Sequence, residues 1–194
     1  MRGPGAEGNT PLDPDEADEL IPTHIATRDA LNAWEQANIA AAAEWLARRR
    51  RTEPVLSVAF ARELHRRMFD GTWRWAGRFR TTEKNIGVAP QRIAEEVAKV
   101  LADAAYWVEH GTYALDEIAA RLHHRLVWIH PFPNGNGRHA RLFADALLAV
   151  HRAAPFTWGS RDPTGQGDAR ERYLAALRKA DAGDLAALVA FARS

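Results

Sequence analysis

From residue 25 onward, apolar residues recur at intervals of three and four, and the breaks fall at glycine, proline or short polar runs. That spacing keeps one face of an α-helix apolar. Residues 25–51 are rich in Ala, Glu and Arg, with Leu31, Trp34, Ala41, Trp45 and Leu46 near helical spacing. Arg48, Arg49, Arg50 and Arg51 close that helix, where cations suit the negative end of the dipole. Leu56, Phe60, Leu64 and Met68 step by four and predict a helix over 57–69, stopped by Asp70 and Gly71. Pro90 opens a helix to about residue 109, with Ile93, Val97, Leu101 and Val108 inward and Gly111 at its end. Leu115, Ile118, Leu122, Leu126 and Ile129 form the stripe of the next helix. Pro131 stops it, because the residue before proline disfavours the α region, so His130 sits at the helix exit facing a loop. Leu142, Phe143, Ala146, Leu147 and Val150 mark the helix after that loop, and 170–179 and 185–191 the last two. One segment departs: residues 79–88 have β-type composition, with Asn85 and Gly87 as turn residues, which predicts a short hairpin. The expected fold is all-α with one small β-hairpin. Residues 1–22, with Pro4, Pro11, Pro14, Pro22 and an acidic cluster over 13–19, read as a disordered or extended lead with room for one short helical turn.

Composition narrows the function classes. The 194 residues suit one domain, and 46% hydrophobic content with seven Trp is enough for a core. A net charge of +1 gives no global field for nucleic acid or membrane, and the Arg48–51 run reads as a solvated helix end. There is no cysteine, hence no disulfide framework or thiolate chemistry. No apolar run approaches the roughly 18–20 residues of a membrane span, and residues 1–9 lack the apolar stretch of a signal peptide. These features fit a cytoplasmic protein.

The chemistry concentrates in His130-Pro131-Phe132-Pro133-Asn134-Gly135-Asn136-Gly137-Arg138-His139-Ala140-Arg141. A glycine-rich turn that opens a helix offers backbone N–H groups and the positive dipole end to a phosphate. Gly135 and Gly137 permit close approach and positive φ, and Asn136 can bond a phosphate oxygen. Arg138 and Arg141, three apart, lie on one helix face and can grip phosphate with two N–H groups each. His130 can act as a base, since its unperturbed pKa lies near neutrality. Phe132 reads as a core anchor for the loop.

The string resembles the Fic-family signature H-x-F-x-[D/E]-G-N-G-R-x-x-R at His130, Phe132, Gly135, Asn136, Gly137, Arg138 and Arg141. Trp75-Ala76-Gly77-Arg78-Phe79-Arg80 resembles the lead into that family's flap, and Tyr173 to Leu177 with Gly183-Asp184 its closing helices. The likeness spans roughly residues 20–194, and its sub-pattern is similar to the bacterial group called mobile mystery protein B. The resemblance implies a Fic-like helical bundle over 23–194. It further implies transfer of AMP from ATP to a Ser, Thr or Tyr hydroxyl of a target protein, with His130 as base. Asn134, Gly135, Asn136, Gly137, Arg138 and Arg141 would bind nucleotide, and Lys84, Asn85, Ile86, Gly87 and Val88 would dock the target. Asn134 stands where the pattern has a carboxylate that helps hold Mg2+, so metal binding is expected to be weaker, or the phosphoryl-type transfer different. Over residues 23–51 the resemblance implies an inhibitory helix, whose Glu35 is expected to pair with Arg141. The other reading is a weakly active or non-catalytic member of a toxin–antitoxin-like pair with a helix-turn-helix partner.

His123, His124, His130 and His139 match no standard zinc spacing. Of the adjacent His123 and His124, one is expected to be packed and the other partly exposed. Trp73, Trp75 and Trp158 are expected near the groove or its rim.

Overall fold

A computed structural model describes residues 14–25, 27–160 and 166–194. The residues before 14 in the expected lead lie outside these. The described part is helical: α1 Pro14–Ala17, α2 Arg28–Arg48, α3 Val58–Phe69, α4 Ile93–His110, α5 Leu115–Ile129, α6 Asn136–Val150, α7 Gln166–Asp181 and α8 Ala186–Arg193. A 3-10 turn at Pro90–Arg92 leads into α4.

Local signals explain the boundaries. Thr27 caps α2, its hydroxyl accepting from the Ala30 N–H at 3.2 Å, so the helix begins three residues later than the apolar pattern suggests. Ser57 caps α3 through the Phe60 N–H at 3.1 Å. The four-residue steps of α3 and α5 are realised as burial: Phe60, Leu64 and Met68 of α3, and Ile118, Leu122, Leu126 and Ile129 of α5, are all inside. α5 and α6 form the central pair, with α4 and α8 against α5, α3 against α6, and α2 covering α3.

One segment differs from expectation. Residues 79–89 contain no strand; the one antiparallel bridge among the described residues joins Leu20 to Trp73. A strand needs a partner for its backbone, and here the flap's polar groups are taken up by the α5 exit: the Arg80 N–H donates to Pro131 O (2.9 Å) and the Val88 N–H to Ile129 O (3.2 Å). The end of the lead runs extended after one helical turn. Its residues 19–21 pair with 72–74 through Ile21 N–H to Thr72 O (2.8 Å) and Arg74 N–H to Glu19 O (3.0 Å), after a single turn of helix in α1.

Candidate active site

The loop between α5 and α6 is built around its apolar anchor. Phe132 is fully buried and stacks on the His65 ring at 3.7 Å with 17° between planes. His65 Nδ1 accepts the Gly77 N–H at 3.0 Å, so its proton is on Nε2 and is donated to Asn134 O at 3.0 Å. Burial holds the His65 pKa well below the ordinary value, which keeps that neutral tautomer. Asn136 braces the turn from the other side: its Oδ1 accepts from Phe132 N–H (2.9 Å) and its Nδ2 donates to Phe132 O (2.8 Å). Its side chain, expected to contact phosphate, is spent on the loop. The Asn134 Oδ1 accepts the Gly135 N–H at 2.6 Å.

The two glycines differ in what requires them. Gly135 has φ +77, and an added Cβ would lie 2.5 Å from Phe69 Cζ. A Cβ on Gly137 would meet nothing closer than the Tyr173 hydroxyl at 3.7 Å, so the protein itself has room there. At the start of α6 the N–H groups of Asn136, Gly137 and Arg138 have no carbonyl a turn earlier to bond, and they point out of the helix end.

His130 caps α5 in the left-handed region, φ 55 and ψ 59, with its N–H on Leu126 O. It is 6% exposed, and its Nδ1 lies 3.4 Å from Val127 O. A proton on Nδ1 leaves Nε2 as the basic nitrogen. Burial lowers its pKa to about 4, the Val127 contact opposing, with Arg80 and Lys84 adding to the fall. His130 is therefore neutral at pH 7, a base that is ready but weaker than free imidazole.

Arg138 and Arg141 do not converge. Arg138 Nη1 donates to Glu35 Oε2 at 2.7 Å, while Glu35 Oε1 accepts from the Trp73 indole at 2.7 Å. This corrects the expected Glu35–Arg141 pair. α2 lies across α3, on the side of the loop where Arg138 emerges over Phe69 at 5.0 Å. Arg141 turns to the other side, 4.3 Å over the Tyr173 ring, and its buried Nε has no hydrogen-bond partner among the described residues. Trp73 and Trp75 are 3% exposed and belong to the core. His123 is buried against Tyr173 (3.0 Å), while His124 is partly exposed beside Asp181 (2.7 Å), as expected. His139 is buried, with Nε2 on Ala61 O at 2.9 Å.

Within the flap, the Lys84 side chain is buried and ion-paired to Glu16 of α1. Val88 is buried, whereas Asn85, Ile86 and Gly87 are exposed. Sequence reasoning missed His65 and Glu16, named Arg80 only within the lead into the flap, and placed Trp73 at the groove rather than in the core beside Glu35. Of the missed two, only His65 left a trace, as a histidine beside the apolar stripe of α3.

Residues 55–148 match the Fic/DOC family model. The protein adenylyltransferase fic-1 of Caenorhabditis briggsae is 34% identical over 144 residues, 70% of this chain and 26% of the relative. A uridine 5'-monophosphate transferase of Xanthomonas campestris is 40% identical over 74 residues, 34% of this chain and 13% of the relative. The chain thus spans about a quarter of the first of these or less of the second. Among solved structures, a fragment of Fic-1 from C. elegans superposes with a TM-score of 0.69 at 26% identity, over 91% of this chain and 51% of that one. BepC from Bartonella tribocorum, solved with AMPPNP bound, gives 0.66 at 17% identity over 92% and 94%, a likeness of fold.

Proposed function

The chain belongs to the Fic/DOC family, and we propose that its loop seats a nucleoside triphosphate and transfers the nucleotidyl group to a hydroxyl of a protein target. The observation that carries this reading is the meeting of a neutral His130 with the open N-terminus of α6 at a glycine, Gly137, which the protein's own packing does not require. Phosphates bound there would meet the outward N–H groups of α6 and the Arg141 guanidinium, whose Nε has no partner among the described residues. His130 Nε2 takes the proton of a Ser, Thr or Tyr hydroxyl as that oxygen forms its bond to the α-phosphorus. The bond from the α-phosphorus to the bridging oxygen breaks on the far side, and pyrophosphate leaves. Such transfer depends mainly on positioning and on stabilising charge. AMP is the expected group, as in the adenylyltransferases this chain resembles. The likeness to a uridine 5'-monophosphate transferase makes uridine the first alternative base.

The loop does not fit a protein-held magnesium ion well. Asn134 offers one neutral oxygen, already accepting from Gly135 N–H, where such an ion is usually held by a carboxylate. Magnesium arriving with the nucleotide would help neutralise its phosphates.

Glu35 acts in this reading as a restraint. It occupies Arg138, one of the two loop arginines, and its carboxylate stands where phosphate charge would be drawn. The exposed Asn85, Ile86 and Gly87 would meet the target backbone, with Val88 as the flap's buried root.

Calorimetry with ATP and UTP on wild type, His130→Ala and Arg141→Ala tests the seating. Retained affinity in His130→Ala and weakened affinity in Arg141→Ala are expected. Equal affinity in all three would remove the nucleotide from this loop.

A further inference from the structure

Arg80 is 3% exposed, yet among the described residues no carboxylate lies within ion-pair distance of it. Its fork is filled by main-chain carbonyls instead. Nε donates to His130 O at 2.7 Å, Nη1 to Thr82 O at 2.8 Å, and Nη2 to Val88 O and, at 3.5 Å, to Ile129 O. Two of these carbonyls bound the flap and two belong to the α5 exit. The Arg80 and Val88 N–H groups cross the same seam, to Pro131 O and Ile129 O. Gly87 closes it from above: with φ +102, an added Cβ would fall 2.7 Å from both Arg80 Nη2 and His130 Cβ. A buried guanidinium whose hydrogen bonds all go to carbonyls, with the Glu83 and Glu16 carboxylates acting only from beyond ion-pair distance, is a costly device for mere stability, since desolvating the charge is only partly offset. The left-handed conformation of His130 is itself unfavourable for a residue with a Cβ, and the Arg80 bond to its carbonyl helps to hold it.

We propose that Arg80 is a positioning residue that fastens the flap to His130, so that the target-docking segment and the proton acceptor keep one fixed register. This rests on the reading of His130 as base and of residues 82–88 as the docking flap. Arg80 touches neither nucleotide nor target in this scheme; it acts through the backbone on both sides of the seam. Its charge has a second effect. Among the described residues, the charged groups acting on His130 are Arg80, from the segment before the flap, and Lys84 of the flap, which is itself paired with Glu16 of α1. Both cations oppose protonation of His130.

The test compares wild type with Arg80→Lys and Arg80→Gln by hydrogen exchange, by NMR titration of the histidines, and by transfer of α-phosphate label. In both variants, exchange should quicken over residues 80–89 and 129–132 while α4 stays protected. Arg80→Gln should move the His130 titration upward, toward the ordinary histidine value, whereas Arg80→Lys, which keeps the charge, should leave it near wild type. Transfer at saturating nucleotide should fall on the order of a hundredfold, with nucleotide KM unchanged, because the loss is one of alignment. If Arg80→Gln does not fold, flap exchange and transfer in Arg80→Lys decide. Wild-type exchange across the flap, or a transfer rate like wild type in Arg80→Lys, would overturn the proposal. If wild type itself transfers no label from any nucleotide, the functional reading fails, and the exchange and titration data still decide whether Arg80 joins flap to histidine.

Discussion

The Glu35 carboxylate bridges two residues far apart in the chain, taking the Trp73 indole N–H on one oxygen and the Arg138 guanidinium on the other, each at 2.7 Å. Trp73 aims the carboxylate, and its backbone is in turn bridged to Leu20. Removing the carboxylate frees Arg138 for phosphate. Glu35→Gly should therefore raise nucleotide affinity and the transfer rate by about five- to a hundredfold, the usual range of a coupling between two interactions. Trp73→Phe should give a smaller rise, since it loosens the carboxylate without deleting it. Calorimetry and label transfer check both. Unchanged affinity in Glu35→Gly would end the restraint.

The two loop glycines should separate structure from binding. Gly135→Ala places a Cβ 2.5 Å from Phe69 Cζ and forces alanine to φ +77. It should cost a few kcal/mol of stability, ~1–2 of them from the backbone alone. Gly137→Ala makes only an ordinary contact with the Tyr173 hydroxyl at 3.7 Å and should leave the melting temperature within about a degree or two, while nucleotide affinity drops about tenfold or more as the methyl group blocks close approach. Thermal melts beside calorimetry give the answer. A stable Gly137→Ala that binds nucleotide like wild type would remove the phosphate from that spot.

Acid should unfold this protein early. Burial lowers the pKa of His65, His123, His130 and His139, to about 3 for His123 and about 4 for His130 and His139. For a histidine whose folded pKa is depressed, the unfolded state takes up the proton first as pH falls below about 6.5. Stability is then full above pH 6.5 and declines as pH drops toward the folded values, by ~1.4 kcal/mol per pH unit for each group. Asp145, raised by burial to about 6, works the other way between its ordinary range and pH 6, and cancels part of the effect. Urea melts from pH 7.5 to 4.5 should show a steep, monotonic loss below 6.5. A flat profile would mean that these histidines are not buried neutral.

Much of this was legible in the chain. The apolar steps of α3 and α5, Gly111 after α4 and Pro131 after α5 are local, and local signals located the elements that carry His130 and the glycine turn. What was hidden is long-range. Nothing in residues 79–88 says that Arg80 will fold back onto the carbonyls of His130 and Ile129, so the β-type composition predicts a segment paired with itself. Nor does a helix sequence say which loop arginine its glutamate will meet. Glu35 stands 103 positions from Arg138, and the choice between Arg138 and Arg141 depends on how α2 lies over α3. The burial that weakens His130 as a base is likewise a property of the packed flap, carried by Gly87 and Val88.

Asn134→Asp should restore a charged oxygen to the loop. The magnesium concentration giving half-maximal transfer should fall, with nucleotide affinity in EDTA no better than wild type, because two negative groups then face each other without the ion. A metal titration of the transfer rate checks this; identical curves for the two proteins would show that position 134 has no part in holding the ion.

The central claim is nucleotidyl transfer with His130 as the proton acceptor. The most direct measurement is label transfer to a bacterial lysate and to the protein itself from α-labelled and γ-labelled ATP in parallel, using wild type, Glu35→Gly and His130→Ala. The account predicts label from the α-position only, stronger in Glu35→Gly and absent in His130→Ala. Label from the γ-position, or α-label that survives in His130→Ala, would contradict it.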